Sequence, residues 1–131
     1  MKNFIRQFSR FAIIGGLGFI VDVCLLYFAI YVLDFGRIAA SLFSFPFAVT
    51  FTWFGNRCFT FKDAERTPMF SQWKQFFVVC TIGLVINRGV YAISVLSVPF
   101  IYDYPIIGVI LGTGSAMFFN FFASKRFVFK A

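Results

Sequence analysis

The sequence predicts an all-α integral membrane protein: four transmembrane helices arranged as two parallel-repeat helical hairpins, with both termini cytoplasmic. Three observations carry that expectation. The 131 residues are 60% hydrophobic, include 23 Phe and have a mean hydropathy of +0.86, which is more apolar surface than a soluble domain of this size can bury. The apolar residues gather into stretches of about 20 residues, the length that crosses a hydrocarbon core roughly 30 Å thick. The basic residues collect before the first stretch, between the second and third, and after the fourth.

The first stretch, Phe11–Leu33, is too long for the apolar core of a signal peptide and is expected to be a retained helix. Its one charge is Asp22. The second, Ile38–Gly55, carries Pro46 in mid-span, then Thr50, Thr52 and Asn56, and ends on RCFTFK (Arg57–Lys62). The polar connection Lys62–Lys74 leads to the third, Phe76–Val98, which holds Asn87 and Arg88. The fourth, Ile106–Ala123, has Gly112, Thr113, Gly114 and Ser115 in mid-span, then Asn120 and Ser124, and ends on KRFVFK (Lys125–Lys130). Such Pro and Gly residues are tolerated where neighbouring helices satisfy the backbone, and Gly108 with Gly112 permits close helix contact.

Orientation follows from charge. Lys2, Arg6, Arg10, Arg57, Lys62, Arg66, Lys74, Lys125, Arg126 and Lys130 fall on one side, and only Arg37 falls on the other. That bias places the termini and the central connection in the cytoplasm. The net charge of +7 then reports a cytoplasmic membrane face and no nucleic-acid partner. Cys24, Cys58 and Cys80 show no CxxC spacing and read as small buried hydrophobes. The chain has no His and no phosphate-binding loop, and no nucleophile–base pair is visible. The expectation is a protein that is not an enzyme, without cofactor or metal.

The two halves repeat. RCFTFK and KRFVFK align, pairing Phe59 with Phe127, Phe61 with Phe129 and Lys62 with Lys130. FAIIGGLGFIVD (Phe11–Asp22) lies over FFVVCTIGLVIN (Phe76–Asn87), pairing Gly18 with Gly83 and Asp22 with Asn87. Residues 1–131 therefore read as a single membrane domain, with repeat 1 over about 4–62 and repeat 2 over about 70–130. Each repeat holds an even number of helices, so the axis relating them lies along the membrane normal.

Asp22 and Arg88 lie roughly 17–20 Å from the cytoplasmic starts of their helices at 1.5 Å per residue, near mid-depth. Intramembrane charges mark a site or pathway by default, and the alternative here is an ion pair that locks two helices. At the cytoplasmic ends Asn56, Arg57, Lys125 and Arg126 either anchor the helices or grip a phosphate, for which the Arg fork is suited. The candidate substrate-binding residues are Asp22, Asn56, Arg57, Asn87, Arg88, Asn120, Lys125 and Arg126.

RFAIIGGLGFIVDVCLLY (Arg10–Tyr27), SFPFAVTFTWFGNRCFTF (Ser44–Phe61) and GSAMFFNFFASKRFVF (Gly114–Phe129) resemble the GtrA-like family of small bacterial membrane proteins. The resemblance covers nearly the whole chain; in the third helix it is carried mainly by Gly83 and Asn87 and is not extended to Arg88. It implies a place in the bacterial inner membrane and the flipping of a polyprenyl-phosphate-linked sugar, such as undecaprenyl-phosphate glucose, for cell-surface polysaccharide or lipopolysaccharide modification. The alternative is a non-transporting accessory subunit that recruits or stabilises a membrane glycosyltransferase. A small proton-coupled exporter is disfavoured, because dual insertion requires a weaker charge bias. The expected partners are the lipid-linked sugar, the membrane, a possible membrane glycosyltransferase and a second copy in a parallel homo-oligomer, a dimer with Gly108/Gly112 or Ala12/Gly16 at the contact.

Overall fold

A computed structural model describes residues 1–131 and contains helices and no strands. They are α1 (Lys2–Tyr31), α2 (Arg37–Gly55), α3 (Met69–Ser97), α4 (Pro99–Asp103) and α5 (Pro105–Ala123). The four long ones, α1, α2, α3 and α5, are long and apolar enough to cross a membrane. Only 24 of 131 residues are buried, while Phe19, Ile82, Leu96 and Ile110 lie exposed on the exterior. That surface suits lipid, since in water these large apolar side chains would be left in contact with solvent.

Two helices begin earlier than the apolar stretches. α1 starts at Lys2 because neither Pro nor Gly interrupts Lys2–Phe11, and α3 starts immediately after Pro68. The chain turns between α1 and α2 through Asp34 at φ 60, a left-handed position that Asp tolerates. At the other hairpin turn the short α4, which the hydropathy pattern does not reveal, starts on Pro99, and Pro105 starts α5. Proline is preorganised for the first helical position, where its missing N–H costs nothing.

α2 and α5 close in the same way. Each runs into a π-helical turn, Asn56–Thr60 and Ser124–Val128. The Phe61 N–H donates to the Asn56 carbonyl and the Phe129 N–H to the Ser124 carbonyl, both at 2.8 Å. The extra residue in the turn brings Phe61 and Phe129 face to face, with ring centroids 4.7 Å apart. The Arg10 guanidinium covers the Phe59 carbonyl left free at the first of these ends, at 3.1 Å.

Packing is tightest within each hairpin, α1 along α2 and α3 along α5. Glycines make this possible. A Cβ on Gly18 would strike the Thr52 side chain, and one on Gly83 would strike Asn120. A Cβ on Gly112 would come within 2.6 Å of the Asn87 carbonyl oxygen, and Gly108 lies against Tyr91 and Val95. The Gly108/Gly112 face therefore serves the contact between α3 and α5 inside one chain, a correction to its expected use between subunits.

The aromatic pairs and side-chain hydrogen bonds that join one hairpin to the other reach Phe11 on α1 and Phe77 on α3. Phe8 stacks on Phe118 at 5.2 Å, Phe11 meets Phe121 edge-on at 5.4 Å, and Phe45 meets Phe77 at 5.6 Å. The buried core sits here, with Phe11, Phe61, Phe76, Phe121 and Phe129 at its centre. The backbones of α1 and α3 stay apart, with no pair of Cα atoms within 8 Å.

Candidate functional site

The space between α1 and α3 is an open-sided groove of about 280 Å³. Phe11 and Phe76 contribute aromatic walls at its basic end. α1 contributes Gly15, Gly18 and Asp22, and α3 contributes Cys80, Gly83 and Asn87 at matching positions of the repeat. α2 supplies the back wall with Ala48, Val49 and Thr52, and Asn120 reaches in from α5. Residues at i, i+3, i+4 and i+7 share one helix face, so the small residues below Asp22 and Asn87 open the room that these polar groups line.

Four of the eight expected site residues meet in this groove: Asp22, Asn56, Asn87 and Asn120. Asp22 and Asn87 are half-buried, and Asn56 is buried. The Thr60 hydroxyl donates to Asn56 Oδ1 at 2.7 Å, which ties that amide into the π-helical turn. Asn120 Oδ1 is buried and accepts no hydrogen bond from the chain. A buried acceptor of this kind is satisfied by a donor arriving in the cavity, and a hydroxyl is the simplest such donor.

Arg88 stands outside. It is exposed and does not line the groove. It matches Asp22 in depth, since each lies roughly 14 Å before the end of its helix, Tyr31 or Ser97. Yet the structure does not bring the two together as a pair, because Asn87 takes the groove-facing position and Arg88 points about 100° away around α3.

The basic residues at the helix ends divide as well. Arg57 is half-buried, donates to the Thr67 carbonyl at 3.3 Å and to Gln72 Oε1, and lies over the Trp53 ring. Gln72 is buried, also accepts from the Trp53 indole at 3.1 Å and donates to the Thr67 hydroxyl at 3.0 Å. The Lys125 ammonium donates to Gln7 Oε1 at 3.0 Å and rests over Phe4 and Phe121. Only Arg126 is exposed. Arg57 and Lys125 thus clasp a glutamine of the opposite hairpin. Nothing in the sequence singles out Gln7 and Gln72 by themselves, although the alignment that pairs Gly18 with Gly83 also pairs them. Gln72→Leu should destabilise the chain by about 1–3 kcal/mol, because the Trp53 indole and the Arg57 guanidinium lose a buried acceptor. Gln7→Leu should cost less, since Gln7 is only half-buried. Thermal unfolding of the two purified variants in detergent checks the order, and equal losses would contradict it.

A family model described as GtrA/DPMS, transmembrane domain, matches residues 10–129. Comparison with curated proteins finds no match.

Proposed function

From the premise that this chain belongs to the GtrA/DPMS transmembrane-domain family, whose membrane function is related to polyprenyl-phosphate sugars, we propose that it translocates a polyprenyl-phosphate-linked sugar across the bacterial inner membrane. Undecaprenyl-phosphate glucose or a related sugar lipid is the intended substrate, and surface polysaccharide or lipopolysaccharide modification is the purpose. The supporting observation is a groove that gathers Asp22, Asn56, Asn87 and Asn120 among apolar walls, set inside helices whose exterior is apolar. A sugar head group carries hydroxyls whose transfer into hydrocarbon is costly unless each finds a partner. Asp22, Asn87 and Asn120 supply such partners near mid-depth, and the open side of the groove leaves the lipid tail in the bilayer. No chemical step is required of the protein, which on this reading is not an enzyme.

Vesicles containing only the purified protein and a fluorescent polyprenyl-phosphoryl-glucose test the reading. Outer-leaflet probe should be depleted and replenished far faster than in protein-free vesicles. Equal rates would overturn transport and favour the accessory role beside a membrane glycosyltransferase.

The same reading holds both termini in the cytoplasm, where the carrier lipid is loaded. Reporter fusions after Ala131 and at Asp34 should give opposite compartments, with Ala131 cytoplasmic. A periplasmic signal at Ala131 would reverse the direction of the proposed cycle.

A further inference from the structure

Arg88 is an exposed charge on a helix long and apolar enough to span a membrane, and Asp22 is a carboxylate that lines the groove. An intramembrane charge without a partner is costly, so each is expected to meet something polar when the protein works. Their placement sorts what each can meet. The groove carries Asp22 with three amide side chains, Asn56, Asn87 and Asn120. Amides and a carboxylate accept hydrogen bonds from hydroxyls, and the carboxylate repels a second anion. That chemistry fits an uncharged sugar and rejects a phosphate.

Arg88 lies one turn beyond Leu84, which is half-exposed at the groove lip, and three turns beyond Phe77 on the same side of α3. Phe77 is the residue that packs on Phe45 of α2. Past that contact the flank of α3 toward α2 is uncovered, with Thr81, Leu84 and Arg88 all exposed. The position that matches Arg88 in the first repeat is Val23, so the corresponding flank of α1 has no charge. The two flanks of the groove are therefore unlike.

Resting on the reading above, we propose that Arg88 binds the phosphate of the lipid-linked sugar at the groove lip, while Asp22 and the groove amides hold the sugar and the polyprenyl chain leaves along the α3 flank. Asp22 acts as the discriminator: it favours an uncharged sugar in the groove and keeps the phosphate out of it. Arg88 supplies the guanidinium fork for the phosphate oxygens.

Binding of farnesyl phosphate and of farnesyl-phosphoryl-glucose to the purified full chain tests this without requiring transport. Arg88→Gln should weaken both by roughly tenfold or more, and Arg88→Lys should recover part of the loss. Asp22→Asn should leave farnesyl phosphate as tight or tighter, and reduce the preference for the glucosylated probe. A diazirine on the farnesyl chain should label the wild-type protein on α3 around Thr81 and Val85, and not on α1 around Gly16 and Ile20. Labelling confined to α1, or unchanged affinities in Arg88→Gln, would overturn the proposal. Should Arg88→Gln fail to fold, the wild-type labelling pattern decides. Partitioned binding without vesicle transport would leave this assignment standing and remove the transport reading. Transport with Arg88→Gln binding like wild type would do the reverse.

Discussion

Phe121→Ala is expected to destabilise the chain by about 3–5 kcal/mol, the cost of emptying a fully enclosed phenylalanine site, and to open the groove toward the basic ends. Phe121 is 0% exposed. Its ring meets Phe4, Phe8 and Phe11 edge-on at 5.5, 5.2 and 5.4 Å, and lies 6.1 Å from Phe61. Those partners come from α1 and from the end of α2, so one side chain of the second hairpin holds two elements of the first. Edge-on aromatic pairs contribute about 0.5–1.5 kcal/mol each beyond area, though not additively. Between membrane helices this packing has no hydrophobic transfer term to replace it. Phe121→Leu keeps most of the volume and should cost much less. Two measurements check the prediction: unfolding of each variant in detergent, and labelling of a Leu84→Cys reporter in a background without Cys24, Cys58 and Cys80. In the otherwise wild-type protein an impermeant maleimide should reach the reporter faster from the α4 side. Phe121→Ala should raise the rate from the opposite side. Unchanged stability and sidedness would show that the aromatic cluster neither clamps nor seals.

Much of this arrangement is legible in the residue order, and the parts that are not share a cause. The long helices follow from runs of apolar residues, a local property. Asp22, Asn87 and Asn120 stand out because a polar side chain in such a run is conspicuous by itself. The π-helical turns are not readable, since nothing in Asn56–Thr60 or Ser124–Val128 differs from an ordinary helix end. Their extra residue is explained only by the contact between Phe61 and Phe129, which are far apart in the chain. Arg57 reads as a phosphate ligand until Gln72 is placed against it. Arg88 shows the limit most plainly. A helical wheel separates it from Asn87 but cannot say which of the two faces the groove. That choice is made by α5, whose Gly112 packs against the Asn87 backbone and turns Asn87 inward.

That contact leads to a prediction in which two glycines of one short run respond with opposite sign. Gly112 and Gly114 both sit inside α5. At Gly112 an added Cβ would stand 2.6 Å from the Asn87 carbonyl oxygen and 2.9 Å from its Oδ1. The carbonyl belongs to the α3 backbone and cannot swing aside, so α3 and α5 must separate. Overpacking of this kind costs about 1–3 kcal/mol for a small addition, which sets the expectation for Gly112→Ala, and Gly112→Leu should reach or exceed the top of that range. At Gly114 a Cβ would meet nothing within 4 Å. There alanine brings only its helix preference, worth about 0.8–1 kcal/mol over glycine, so Gly114→Ala should be neutral or stabilising. Function should follow the same division. Displacing the α3 backbone at Asn87 moves a groove amide and the adjoining Arg88 together, so Gly112→Ala should weaken farnesyl-phosphoryl-glucose binding while Gly114→Ala leaves it intact. Denaturant titration and probe binding on the same preparations provide both readings. Equal behaviour of the two alanine variants would mean that α3 and α5 are not in the close contact on which the inward placement of Asn87 depends.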